Sequence, residues 1–392
     1  MTLVARVGDT APTAVVSITN TSPDQYTEGL KVSGFTTAAP GFATSGSIAN
    51  LAAQATNSTT LRAALNTGAA GTFLGQGTLA LVSTGAGTDN AADLPLASQT
   101  VSLSGKVYTA AQAQVSPTPV NFGYVHVGDT ITTQNVTVAN AAAITALNDV
   151  LNGTLSGVSG PFSASGSVSG VTAGSSTSLG FGLSTAAAGT FNSAATLALS
   201  SHDADQADLS LGSTPIALSA TVNYHAAPVF ELGAGAIGTL SNTGTAYVLD
   251  LGSITQGTAL DEMLALLNGA AGQSDLLEGG FGFSGTGLPV TFGGFGNFTG
   301  LSNGQFVAGD ALFNTANLGS INELLTFTGF GYNPNFQEGL GATLLIEGSV
   351  VSGGGGTLPE PDSLPLTLIA GGFMAASLML RRRRPAPTSL RD

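Results

Sequence analysis

Apolar and polar residues alternate along most of this chain with the two-residue period of a strand that buries one face. The run Val16-Ser17-Ile18-Thr19-Asn20 returns 120 residues later as Val136-Thr137-Val138-Ala139-Asn140, and Val7-Gly8-Asp9-Thr10 returns as Val127-Gly128-Asp129-Thr130. Phe42 and Phe162 keep that displacement. Ala70-Gly71-Thr72-Phe73 with Thr78-Leu79-Ala80-Leu81 reappears as Ala188-Gly189-Thr190-Phe191 with Thr196-Leu197-Ala198-Leu199, now 118 residues on, so a loop has lost two residues. Val101-Ser102-Leu103-Ser104 and Ile216-Ala217-Leu218-Ser219 close the two copies. A divergent third copy follows: Leu251-Gly252, Ile254 and Gly257-Thr258 parallel Phe122-Gly123, Val125 and Gly128-Asp129-Thr130, and Leu344 to Val350 takes the closing-strand position.

Turn residues between short β-branched runs, roughly every 8–12 residues, predict antiparallel β-sandwiches. The expected organisation is all-β: one Ig-like sandwich over 1–110, a second over 115–225 and a third over 226–352. The only helical pattern within these units is Asp261 to Leu267. A Gly-rich linker (353–358), a sorting segment (359–384) and a cytoplasmic tail (385–392) complete the chain. The second copy opens with a strand near Val115 to Asn121, and its 120-residue projection falls before Met1. Copy one is therefore expected to lack its first strand, and Met1 to lie inside a longer gene product that supplies this strand and an export signal. Met1 to Thr10 itself has neither a basic leader nor an apolar run.

Composition narrows the chemistry. The 392 residues contain no Cys, which removes disulfides, thiolate nucleophiles and thiolate metal sites. Charged residues make up only 8%, yet apolar residues reach 43% and mean hydropathy is +0.32, so the chain can collapse. Five of nine bases lie in the last twelve residues; residues 1–380 hold 22 acids against 4 bases, a formal charge of −18. Phosphate recognition needs clustered Lys and Arg, so the body is not expected to bind nucleic acid.

Leu364 to Leu380 is an uncharged run of 17 residues, about 25 Å long as a helix. Arg381, Arg382, Arg383 and Arg384 follow it and would stay cytoplasmic, placing the body on the far side of the membrane. Pro359-Glu360-Pro361 stands just before the run. This succession resembles the PEP-CTERM sorting signal. The resemblance implies a membrane-tethered precursor and an exosortase-type enzyme that cuts near the motif, releasing or transferring the body. Pro365 at the start of the apolar run and the residues after the arginines depart from the usual pattern. The succession Val120-Asn121-Phe122-Gly123, Val125, Val127-Gly128-Asp129-Thr130 and Val136-Thr137-Val138-Ala139-Asn140 resembles the Ig-like choice-of-anchor D family. That resemblance implies exported bacterial β-sandwich modules without a known catalytic site.

Gly233-Ala234-Gly235-Ala236-Ile237-Gly238 has dinucleotide-fingerprint spacing, but turn and strand residues follow where that chemistry needs a helix, so a β turn is expected and no cofactor. Asp203, Asp205 and Asp208 could offer oxygens to calcium, but the spacing lacks the Gly and Glu of a calcium loop and a solvated hairpin loop is favoured. His126, His202 and His225 have no local metal spacing, so no metal site is expected. The enzyme alternative is a hydrolase that uses Asp and Ser residues of the third copy, and it requires Asp250, Asp261 and Glu262 in one cleft. Asn20, Asn57, Asn135, Asn152 and Asn297 are sequons of the kind a Ser/Thr-rich chain yields by chance.

The expected function is that of a non-enzymatic surface or matrix protein, exported, tethered to the cytoplasmic membrane by its C-terminal transmembrane helix until processing. Its hydroxyl-rich faces suit extracellular polysaccharide. The alternative is an adhesin anchored permanently by that helix, with its sandwich loops contacting a ligand.

Overall fold

The computed structural model describes residues 1–353, and all regular structure in them is β. Three successive pairs of sheets are formed. In the second pair, a sheet ordered Val120–His126, Leu209–Asn223, Gly189–His202, Val150–Ser156, Val168–Val171 faces one ordered Ala113–Ser116, Gln134–Asn140, Ser176–Leu183, Phe162–Ser165. The first and third pairs repeat this plan. The third adds the strand Thr239–Thr243 at one edge; in the first, the smaller sheet has three strands, and Thr13–Thr19 forms its edge.

Alternation sets the register. Val136, Val138 and Asn140 point inward from Gln134–Asn140, and Leu197, Leu199 and Ser201 from Gly189–His202. Val136, Val138, Leu179 and Phe181 on one sheet then meet Leu197, Ile216 and Leu218 on the other in a continuous core. Burying each such side chain contributes about 1.5–3 kcal/mol. Each sandwich has its own core cluster. At the end of the inward row, Asn140 is fully buried and its amide donates to the Asp149 and Val171 carbonyls (3.4 and 3.1 Å). Asn20 and Asn268 make the same pair of contacts in the other copies. The Asn20 side chain is therefore engaged inside the fold rather than displayed as a glycan acceptor.

The expectation of antiparallel sheets is corrected at one strand pair in each sandwich. In each sandwich the first strand of the larger sheet's long meander runs parallel to the last: Thr2–Arg6 beside Gln99–Tyr108, Val120–His126 beside Leu209–Asn223, and Ala246–Thr255 beside Phe336–Val351. Parallel pairing brings the end of the opening strand and the exit of the closing strand to the same end of the sandwich. Equivalent bulges in the second and third copies show why Phe122-Gly123 and Leu251-Gly252 correspond. Gly123 and Gly252 adopt φ of 71° and 63°, where Asn121 and Asp250 accept their amides (both 2.8 Å).

The helix expected at Asp261 to Leu267 is also corrected, because those residues lie in the strand Leu260–Asn268. Leu260, Glu262, Leu264, Leu266 and Asn268 are buried in strict alternation. Two-residue burial against the third core outweighs the helix propensity of Glu, Met, Leu and Ala. Glu262 is thereby buried, and both its oxygens accept the Ile237 amide (3.1 and 3.2 Å). The glycine-rich 233–238 run is a turn region after Pro228–Leu232, as expected, and the hairpin Thr239–Thr243 with Ala246–Thr255 follows it in place of a helix.

Burial raises the Glu262 carboxyl above its ordinary value of 4.5, opposed by the Ile237 amide and reinforced by nearby Asp261. Between 4.5 and the raised folded-state value, the folded chain holds a proton the unfolded chain has released, so stability falls as pH rises through that window. Glu262→Gln keeps an acceptor for Ile237 and removes the titration. Urea unfolding across that window should show a flatter pH dependence for the variant, and an unchanged slope would refute this account.

Candidate functional sites at the domain junctions

Because opening and closing strands end together, each sandwich presents two elements to the next: the last side chain of the opening strand and the linker leaving the closing strand. Arg6 ends Thr2–Arg6 and His126 ends Val120–His126. Thr109 and Tyr224 occupy the linkers, and each forms a parallel bridge to the residue preceding a buried aspartate, Asn148 before Asp149 and Ser274 before Asp275. The linker bonds match: Asp149 N–H donates to the Thr109 carbonyl and Asp275 N–H to that of Tyr224 (both 2.9 Å). One design serves both junctions.

At the first junction the buried Arg6 guanidinium spans two carboxylates. Its Nε donates to Asp149 Oδ2 (2.6 Å) and a terminal nitrogen to Asp203 Oδ2 (3.2 Å), while the other reaches the Ala207 carbonyl (3.2 Å). Ser201 Oγ also donates to Asp149 Oδ2 (2.7 Å), but Asp149 Oδ1 is buried without a partner. Desolvation pushes the Asp149 carboxyl up, opposed by Arg6 and Ser201. At the rim, Lys106 Nζ donates to Asp205 Oδ2 (2.7 Å), and Tyr108 donates to the same oxygen. Lys106 and Tyr108 hold Asp205 below the usual carboxylate range. Asp205 raises Lys106, and desolvation, then Asp205, raise Tyr108.

At the second junction an imidazole replaces the guanidinium. His126 Nε2 donates to Asp275 Oδ2 (2.8 Å), and Asn223 and Asn333 amides donate to Asp275 Oδ1 (2.9 and 2.8 Å). His225 stacks on His126 with ring centres 3.9 Å apart and planes 12° apart, and its Nδ1 donates to Glu338 Oε1 (2.6 Å). Phe336 closes edge-on over both rings. His126, His225 and Asp275 place potential ligand atoms within 4.8 Å of one another. A metal lies in the plane of each imidazole that binds it, and nearly parallel stacked rings do not share such a point. Asp275 is also fully engaged by side-chain donors. The cluster is built as a hydrogen-bonded stack. Beside it opens a cleft of about 550 Å³, lined by Tyr124 and Tyr332 together with Thr190, Thr221, Gln273 and Asn333.

The structure separates several residues that the sequence offered together. Asp203, Asp205 and Asp208 share one hairpin loop, but each faces its own base: Arg6, Lys106 and His202 respectively. The solvated-loop expectation is corrected at Asp203, which is buried in the junction. Asp250 lies on one sheet of the third sandwich, while Asp261 and Glu262 lie on the other, with Asp261 exposed and Glu262 buried. They share no cleft, so the hydrolase alternative is discarded. Pro359, Glu360, Pro361, the 364–380 segment and Arg381 to Arg384 lie outside the described residues. Among the described residues, no helix is long and apolar enough to cross a membrane.

Sequence reasoning missed the roles of Arg6, Asp149 and Asp275. A signal was present for one side: Arg6 and His126 both immediately precede Val-Gly-Asp-Thr. Their acidic partners follow loops of unequal length, so the shared pattern of Asp149-Val150-Leu151-Asn152-Gly153 and Asp275-Leu276-Leu277-Glu278-Gly279 falls out of the constant displacement that exposed the other repeats.

No protein-family model matches the chain, and no curated protein matches it. Solved structures similar to it include mouse cadherin-23 EC22–24, at 12% identity over 90% of this chain and 95% of that one, with a TM-score of 0.38. Mouse protocadherin-24 EC1–3 aligns at 12% identity over 89% of this chain and 96% of that one, with a TM-score of 0.32. A Porphyromonas gingivalis protein of unknown function aligns at 14% identity over 61% of this chain and 99% of that one, with a TM-score of 0.25.

Proposed function

We propose that this is a non-enzymatic exported protein of the cell envelope or extracellular matrix, delivered through a C-terminal PEP-CTERM signal by an exosortase-type enzyme. The observation that carries this reading is the placement of the signal. The last strand, Phe336–Val351, completes the third sandwich, and Pro359-Glu360-Pro361, the uncharged 364–380 run and four arginines follow beyond a glycine linker. Processing there would remove no strand of the described sheets. The buried ionisable groups of the two junctions pair with one another between sandwiches.

The exposed faces support an extracellular polysaccharide as partner. Thr154, Ser156, Asn192 and Thr196 project outward from the second sandwich without a charge among them. The cleft at the second junction adds two tyrosines and several amides, groups that stack on and hydrogen-bond to sugars.

Expression of the full chain in an exosortase-bearing host, with mass analysis of the mature C-terminus, tests the proposal. The expected product ends near Pro361 and is recovered from envelope or medium, whereas Arg381–Arg384 changed to Glu should abolish processing. Retention of the peptide beyond Pro361 on an exported product would favour the permanently anchored adhesin. An intact product dissolved in the cytosol would overturn export altogether.

A further inference from the structure

The aspartates that receive Arg6 and His126 belong to a socket, and the first sandwich carries a third one. Leu30, Leu151 and Leu277 occupy the same bulged register position beside Leu51, Val171 and Leu301. The residues two positions before them are Glu28, Asp149 and Asp275. The supporting contacts agree. Asn20 donates to the Glu28 carbonyl as Asn140 does to that of Asp149 and Asn268 to that of Asp275. Ser83 Oγ donates to the Glu28 carboxylate as Ser201 Oγ does to Asp149.

Two of the three sockets hold a basic side chain from a neighbouring sandwich, and the Glu28 socket holds none among the described residues. Its backbone is open too. In the occupied sockets the linker pairs with the carbonyl two residues before the acid (Leu147, Gln273) and with the amide of the acid itself. The corresponding Tyr26 carbonyl and Glu28 amide make no backbone hydrogen bond among the described residues. Tyr26 stands beside them with 84% of its surface exposed, at the mouth of a cavity of about 480 Å³ that Gln25, Thr88 and Asp89 also line.

We propose that the Glu28 end of the first sandwich is a docking site for the end of another β-sandwich of this architecture, one that presents arginine or histidine at the close of its opening strand. The cation would meet the Glu28 carboxylate, the extended linker would pair with Tyr26 and Glu28, and Tyr26 would pack on the incoming surface. An unmodified second copy of this chain is not that partner. The residue equivalent to Arg6 and His126 in the third sandwich is Thr255, as the matching turn bonds Asp9 to Arg6, Asp129 to His126 and Thr258 to Thr255 show. Thr255 is exposed and carries no charge.

That difference supplies the test. Thr255→Arg turns the far end of the full chain into a plug for the Glu28 socket of another molecule. In a mild detergent and at roughly millimolar protein, the effective concentration a short tether provides, sedimentation should show head-to-tail association for Thr255→Arg and none for wild type. Adding Glu28→Gln should return the protein to the wild-type mass. Thr255→His, which carries the side chain found at the second junction, serves as a second plug should the arginine variant fail to fold. Folded plug variants that do not associate, or association that survives Glu28→Gln, would overturn the proposal.

Discussion

Arg6→Ala is expected to destabilise the first junction by about 3–5 kcal/mol, because it leaves two buried carboxylates without their counter-charge. Asp149 and Asp203 both depend on that guanidinium, and Asp149 already has an oxygen without a partner. Arg6→Lys should recover only part of the loss, since one ammonium cannot reproduce a fork that reaches Asp149, Asp203 and the Ala207 carbonyl at once. The pH dependence has a definite sign. Asp149 is raised above its ordinary 3.8 by desolvation, so the folded state holds a proton that the unfolded state has released, and stability falls as pH rises from 3.8 through the raised value. Without Arg6 the attraction opposing that shift disappears, and the window extends to higher pH. Calorimetry across the acidic range checks both claims. Each sandwich has its own core, so the loss should appear as an early transition of the first sandwich. Coincident single transitions in wild type and variant would refute this.

Asp275→Ala should have a comparable effect at the second junction, again about 3–5 kcal/mol, for the converse reason: it removes the acceptor and strands the donors. His126, Asn223 and Asn333 all direct buried N–H groups at that carboxylate. Asp275→Asn keeps one acceptor oxygen but turns a new donor toward existing donors, so it should fall between wild type and Ala. Limited proteolysis at the 224–227 linker reads the outcome, because the Asp275 amide bond to Tyr224 and the His126–His225 stack hold that linker down. Accelerated cleavage there, with the cores of both sandwiches intact, is expected. Cleavage at the wild-type rate would show that the carboxylate is dispensable to the junction.

Much of the fold was legible because strand alternation is a local property. Val16 with Ile18 and Val136 with Val138 face inward in strands of the first and second sandwiches, as their spacing implies. The third copy was readable where glycine geometry constrained it, at Leu251-Gly252, and misread at Asp261 to Leu267. In that segment residue preferences favoured a helix while the Leu260, Leu264 and Leu266 faces were needed by a core contributed from strands far away. The parallel pairing of opening and closing strands was not legible, since alternation gives the faces of a strand and not the direction of its neighbour.

The candidate sites divide in the same way. The sorting signal is linear, so its residues could be read in order, whereas the junctions join Arg6 to Asp149 across 143 residues and His126 to Asp275 across 149. By itself the sequence determined the repeated β units, the acidic body, the absence of thiol chemistry and the C-terminal succession of motif, apolar run and arginines. Only the tertiary structure decided which charges are buried and with whom. A side chain's electrostatic partner is set by which strand ends the sheets bring together, and that depends on topology, which residue spacing does not encode.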